Sequence, residues 1–210
     1  MGTQNLIEAA EIQQVKQVVA FSTDKAVNPV GLYGASKLAA ERLLINANRP
    51  EGPQFDVIRL GNIWGARGSV VPQFLQQRTT GSLTVTHPEA TRFSITLDEC
   101  VDFLQTVLSK ARGGEIFIPK MPSYRLKDLA EAIMPGGKYE VMGTRAGEKR
   151  HEALIADTEM AFAQEHDHYW VISTKKEAHP LCERAPLHCD QNPTQLSTKD
   201  LQILLQLNAV

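Results

Sequence analysis

Apolar positions along the chain alternate between helical and strand periods. In "TQNLIEAAEIQQ", Leu6, Ile7, Ala9, Ala10 and Ile12 recur at helical spacing, which predicts an amphipathic helix with that face on a core. "QVVAFS" (Gln17–Ser22) is a short β-branched run, the pattern of a buried parallel strand. "GLYGASKLAAERLLINAN" reads as a long helix rich in Ala and Leu, and "FDVIRL" (Phe55–Leu60) as a second buried strand. Helix, strand, helix, strand is the order of an α/β fold with a parallel sheet.

After Leu60 the elements shorten. "GNIWGARGSVVPQF" predicts a Gly-rich loop and then a helix near Val70–Thr79, and "SLTVTH" a strand. "RFSIT" precedes "LDECVDFLQTVLSKA", a helix with Leu97, Val101, Leu104 and Leu108 on its apolar face. "GEIFIP" is a strand, "RLKDLAEAIM" a helix and "KYEVMG" a strand. "RAPLHCDQNPTQ" (Arg184–Gln195) is a loop, and "STKDLQILLQL" a closing helix capped by Ser197. The expectation is a smaller α+β lobe over the end of the main sheet, with some later elements returning to that sheet.

Composition narrows the function classes. The 210 residues are 42% hydrophobic and 22% charged, with formal net charge −2 and no basic run of five, so binding nucleic acid through counterion release is disfavoured. No apolar run approaches the ~18 residues of a membrane span, and the first residues lack signal-peptide character. Cys100, Cys182 and Cys189 are odd in number and not in metal spacing, which suggests free thiols in a reducing compartment. His151, His166 and His168 lack a third ligand in fitting spacing, so no metal is expected.

The candidate chemistry lies between Phe21 and Lys37. Tyr33 and Lys37 stand at i and i+4 and so share a helix face. An ammonium beside a phenol favours the phenolate and suits the Tyr to proton transfer. The spacing alone is weak, because a solvated Lys packed on a half-buried Tyr gives it too. Ser22, Thr23, Asp24 and Lys25 end the first strand, where parallel sheets bind ligands; turn chemistry and a surface ion pair are the plain alternative. Chemistry of this kind needs a nucleotide cofactor, yet no Gly cluster has G-x-G-x-x-G spacing after a strand. The expectation is that the first βα units and their phosphate loop are absent, and that this chain is the C-terminal part of a longer protein.

"STDKAVNPVGLYGASKLAAERL" resembles the extended short-chain dehydrogenase/reductases. Within them it is similar to nucleotide-sugar 4,6-dehydratases of the polysaccharide-biosynthesis type, nearest the UDP-N-acetylglucosamine 4,6-dehydratases that invert carbon 5 and open pseudaminic acid synthesis. "RLGNIWGARGSVVPQF", "TRFSITLDE", "GGEIFIPKMPS", "KDLAEAI" and "GTRAGEKRHEALI" extend the resemblance in order, from about Gly2 to Leu205, although residues 176–187 match nothing. Asp24-Lys25 departs from the Asp-Glu of dTDP-glucose dehydratases and the small residues of simple 4-epimerases. Tyr33 and Asn28 depart from the Met and Arg of the long membrane-anchored relatives.

The resemblance implies the C-terminal part of a Rossmann-like parallel sheet in residues 1–65, a substrate-binding lobe mainly in 66–183, and a terminal loop and helix in 184–210. It implies NADP, or NAD, held by Lys37, Tyr33 and Ser22. Tyr33 would take the carbon 4 hydroxyl proton, Lys25 the carbon 5 proton, Asp24 would protonate the leaving carbon 6 hydroxyl, and Thr23 would hold the sugar. Asn62, Arg92, Arg145 and Glu148 resemble residues that bind the UDP-sugar; a turn Asn and surface ion pairs are the alternatives. A cytoplasmic enzyme without a membrane span, homo-oligomeric at full length, is implied, inactive as this chain alone. A 4-epimerase or a non-catalytic UDP-sugar-binding module are the other readings.

Overall fold

The computed structural model describes residues 1–173 and 187–207. In chain order its elements are α1 (Gly2–Ile12), β1 (Gln17–Thr23), a 3-10 turn (Asp24–Ala26), α2 (Leu32–Asn46), β2 (Gln54–Leu60), β3 (Asn62–Ile63), α3 (Val70–Arg78), β4 (Ser82–Val85) and β5 (Thr91–Ile95). Then follow α4 (Leu97–Lys110), β6 (Glu115–Pro119), β7 (Ser123–Arg125), α5 (Leu126–Ile133), β8 (Lys138–Val141), β9 (Ala153–Ile155), α6 (Asp157–Met160), β10 (Ala163–Glu165), β11 (Tyr169–Ser173), β12 (Leu187–His188) and α7 (Thr198–Leu207). The elements group into two compact units. Cys182 and the start of the Arg184–Gln195 segment lie outside the described residues.

The first unit comprises residues 1–60, 101–120 and 153–187. Its sheet has the order β1-β2-β6-β11-β10, parallel through β1, β2 and β6 and antiparallel thereafter. β2 and β6 are its core, with Phe55, Val57, Ile58 and Ile118 fully buried. Asn48 ties the end of α2 to β2. Its side-chain amide donates to the Leu44, Ile45 and Phe55 carbonyls, and its oxygen accepts from the Phe55 N–H. Carbonyls left over at a helix end are thereby satisfied. The expected α/β class with a parallel sheet is present.

Three expectations about faces are corrected. β1 is not buried: among the described residues it stands at the sheet edge, paired only with β2, and all its residues are part-exposed, Phe21 at 45%. In α1 only Ala10 is buried, while Leu6 and Ile12 face outward, because no described element covers that side. In α4 the buried residues are Cys100, Phe103 and Val107, whereas Leu97, Val101 and Leu108 are exposed. Both sets fit the helical period, so period alone could not choose between adjacent arcs.

The second unit comprises residues 61–100, 121–152 and 188–210. β3 and β5 run parallel with β7 antiparallel to β5, and β4 pairs with β8 in parallel. Trp64, Phe74, Leu83, Leu129 and Leu201 lie in one apolar cluster. Two helix starts carry a reciprocal cap. Thr96 Oγ1 accepts from the Glu99 N–H while Glu99 accepts from the Thr96 N–H, and Ser197 and Asp200 do the same for α7. Ser197 therefore caps α7 as its sequence predicts.

Candidate functional site

β1 ends at Thr23 and the chain turns at once through Asp24–Ala26. Thr23 Oγ1 accepts from the Lys25 N–H (3.4 Å) and donates to Asp24 Oδ1 (3.0 Å), and Lys25 Nζ donates to the same oxygen at 3.0 Å. Asp24 is fully buried, and Oδ2 has no hydrogen-bond partner among the described residues. Ser22 Oγ is buried in the same condition. A buried polar atom without a partner costs about 1–3 kcal/mol, so two at one strand end mark a place built to meet a ligand or ordered water.

The chain after the turn brings α2 back over it. Asn28 takes a positive φ of 44°, a conformation Asn tolerates, and Pro29 follows. Gly34 then lies against the turn so closely that a Cβ there would meet the Lys25 carbonyl oxygen at 2.1 Å. Glycine is what allows helix and turn to touch. Tyr33 lies in the first turn of α2 and is 57% exposed; one turn later Lys37 Nζ reaches the Phe21 carbonyl at 3.5 Å. Ser22, Thr23, Asp24, Lys25 and Lys37 are therefore gathered at one end of β1, with Tyr33 on the helix beside them.

A second group lies within the other unit. Arg92, on β5, is 7% exposed and donates to Glu148 Oε1 at 2.8 Å and to the Thr91 and Arg150 carbonyls. Thr86 Oγ1 also donates to Glu148 Oε1 (3.0 Å). The Glu148 N–H donates to the Arg145 carbonyl, placing the exposed Arg145 in the same turn. Asn62 stands on β3, paired with Ser94 of Arg92's strand. Close by, Thr91 Oγ1 bonds both His151 Nδ1 and Cys189 Sγ at 2.8 Å. Burial pushes the Cys189 thiol up to about 11 and lowers the His151 pKa, so Cys189 is a protonated packing group rather than a nucleophile.

Sequence reasoning missed a buried ionic cluster beneath α2. Arg59 of β2 and Glu41 of α2 are essentially inaccessible and joined by two hydrogen bonds, and Glu159 of α6 closes the cluster at 2.8 Å. Burial, the largest single influence on Arg59, opposes its charge, but the bonds to Glu159 and Glu41 outweigh it and raise its pKa. The available signal was a lone Arg inside the apolar run "FDVIRL" and a Glu on the Ala- and Leu-rich helix.

A family model described as "Polysaccharide biosynthesis protein" matches residues 1–174. The chain is 44% identical over 177 residues to the UDP-N-acetylglucosamine 4,6-dehydratase (inverting) of Campylobacter jejuni, covering 82% of this chain and 53% of that protein. It is 37% identical over 180 residues to the UDP-glucose 4-epimerase of Rickettsia bellii, with the same coverage. The chain thus spans about half the length of the curated relatives it matches. Among solved structures, Pen from Bacillus thuringiensis superposes with TM-score 0.89 at 33% identity, over 99% of this chain and 67% of that one. DesIV from Streptomyces venezuelae, a dTDP-glucose 4,6-dehydratase with NAD and TYD bound, gives 0.63 at 21% identity over 70% and 54%, a likeness of fold.

Proposed function

This chain belongs to the polysaccharide biosynthesis protein family, and on that premise we propose that it carries the catalytic centre of a nucleotide-sugar 4,6-dehydratase. UDP-N-acetylglucosamine is the proposed substrate, since the relative of that name shares 44% of matched residues, against 37% for the epimerase. The single observation that carries the reading is the Thr23–Asp24–Lys25 turn, an acid and a base held 3.0 Å apart on a buried carboxylate.

A nicotinamide dinucleotide, NADP or NAD, fits the residues present: among the described residues Ser22 Oγ has no hydrogen-bond partner, and Lys37 Nζ donates to the carbonyl of the preceding residue, Phe21. When bound, it would supply the acceptor for the carbon 4 hydride and the hydride donor to carbon 6, the return being balanced by a solvent-derived proton added to the opposite face of carbon 5. Lys37, Tyr33 and Ser22 hold its nicotinamide end, and Tyr33 takes the carbon 4 hydroxyl proton. The carbon 4 ketone acidifies the carbon 5 hydrogen. Lys25 Nζ removes that proton, Asp24 delivers one to the carbon 6 hydroxyl, water leaves and the carbon 5–carbon 6 double bond forms. Their 3.0 Å hydrogen bond gives one proton a path between Asp24 and Lys25, so that the pair can take a proton from carbon 5 and give one to the carbon 6 hydroxyl. Across the elimination the pair then gains and loses one proton, and its net charge is unchanged.

In the second unit Arg92, Arg145, Glu148 and Asn62 are proposed to bind the UDP-sugar, Arg being suited to phosphate by its paired donors. Arg92 is engaged by Glu148, so its role is to shape the subsite through that pair. No helix among the described residues is long and apolar enough to cross a membrane. The free, buried Cys100 and Cys189 accord with a reducing compartment, and a cytoplasmic location is proposed. The exposed apolar residues of α1 and α2, Leu6, Ile12, Leu32 and Leu43, support a homo-oligomer.

A UDP-sugar 4-epimerase is the second reading, favoured by the Rickettsia bellii relative. The two separate at Lys25, because epimerisation needs no base at carbon 5. The test uses a chimera joining this chain to the part of the Campylobacter jejuni protein it does not cover. Lys25→Ala should abolish solvent exchange at carbon 5 while hydride transfer persists, and Tyr33→Phe should slow the first oxidation by about 100-fold or more. Carbon 5 exchange at the parental rate in Lys25→Ala would remove Lys25 from the role of base.

A further inference from the structure

The Arg59 guanidinium uses all five of its donors. Nε and Nη2 hold the two oxygens of Glu41 at 3.1 and 2.7 Å. Nη2 and Nη1 hold the two oxygens of Glu159 at 2.9 and 2.8 Å, and Nη1 also donates to the Leu154 carbonyl at 2.8 Å. Glu159 accepts further from Arg42 (3.1 Å) and from the Ala156 N–H (3.1 Å). Two arginines and two carboxylates cancel in formal charge. The cluster joins three parts of the first unit: β2 through Arg59, α2 through Glu41 and Arg42, and the β9–α6 segment through Leu154, Ala156 and Glu159.

Glu41 stands four residues after Lys37 and eight after Tyr33. On an α-helix the three fall within about 80° of one another around the axis. Fixing Glu41 fixes both the rotation of α2 and its position along the axis. At the other end, Gly34 rests on the Lys25 carbonyl, and Val27, just after the turn, packs with Ala153 and Ala156 of the segment that Arg59 grips. Buried ion pairs are poor sources of net stability compared with apolar packing. A doubly forked guanidinium does impose geometry, because its hydrogen bonds fail together when a partner slides or turns.

We propose that Arg59 is a positioning residue that locks α2 in register with the Asp24–Lys25 turn, holding Tyr33 and Lys37 where the reaction needs them. The link to catalysis rests on the dehydratase reading; the lock on α2 does not. A misplacement of about 1 Å is enough to cost about 100-fold in rate.

The test replaces the pair by apolar residues, Glu41→Leu with Arg59→Met, leaving Glu159 with Arg42. In the 210-residue chain the double variant should melt below the parent, since Glu159 loses Arg59, while amide exchange across residues 34–41 rises at least tenfold more than that of β2 and β6. In the chimera its kcat should fall at least tenfold with the KM for UDP-sugar unchanged. Arg59→Lys, which keeps the charge and loses the fork, should lower kcat in the same way, and it decides the matter if the double variant fails to fold. Unchanged exchange in α2, or parental kcat in either variant, overturns the proposal. A parental chimera without turnover would sink the dehydratase reading and leave the lock to be judged by exchange alone.

Discussion

At the scale of single residues, Glu159 gives this fold an acid-sensitive contact. Burial is the largest influence and works against its ionisation, but the bonds from Arg59, with the Ala156 N–H and Arg42, hold its pKa below the usual carboxylate range. The folded pKa lies below the unfolded one, so the unfolded chain takes up the proton first as pH falls. The stabilisation is complete above the unfolded value and is lost as pH drops through the carboxylate range. The exposed Asp200 and the half-buried Glu89 shift in the same direction. The melting temperature should begin to fall as pH drops through about 6.5, where the unfolded chain protonates His151 first, and fall more steeply below about pH 4.5. Glu159→Gln should lose about 3 kcal/mol at neutral pH, the low end for a broken buried pair, and show a shallower acid slope. Equal acid slopes in the two proteins would mean that Glu159 does not carry this dependence. Sequence alone brought Asp24, Lys25, Tyr33 and Lys37 forward because they are close in the chain. The contact of Arg59 with Glu41 spans 18 positions and that with Glu159 spans 100, and no local period encodes such a meeting.

At the scale of elements, α7 depends on the reciprocal Ser197–Asp200 cap. Ser197→Ala should destabilise the second unit by about 1 kcal/mol, and Ser197→Gly by only a few tenths. Urea titrations of the two variants check this, and an Ala variant as stable as the parent would show that the Ser197 oxygen does not cap α7. α2 was legible from its Ala- and Leu-rich composition, and β2 and β6 from continuous apolar runs. The buried face of α4 was not, because Leu97, Val101, Leu104 and Leu108 form a set as regular as Cys100, Phe103 and Val107. β5 was obscured by its own polarity: Thr91, Arg92 and Ser94 are buried in it. The Thr91 and Ser94 N–H groups bond the Arg150 and Pro122 carbonyls, and the Arg92 side chain bonds Glu148. Such partners exist only after folding.

At the scale of the whole molecule, β6, β11 and β10 all come later in sequence than Leu60, yet they complete the sheet begun by β1 and β2. The parallel half of that sheet was readable from its apolar runs. β1 is the exception, since its apolar run predicts burial, whereas among the described residues it pairs with β2 alone and stays part-exposed. The sequence holds no Gly-rich phosphate fingerprint, so on the proposed reading Lys37 and Tyr33 would hold a dinucleotide at its nicotinamide end alone. The central claim is that the Asp24–Lys25 turn belongs to a 4,6-dehydratase. It is tested most directly by product analysis in heavy water, with UDP-N-acetylglucosamine and NADP offered to the chimera and to this chain alone. The account predicts that the chimera yields a 4-keto-6-deoxy sugar, inverted at carbon 5 and carrying solvent deuterium there, and that the chain alone yields none. A 4-epimer free of solvent deuterium from the chimera, or turnover by the chain alone, would contradict it.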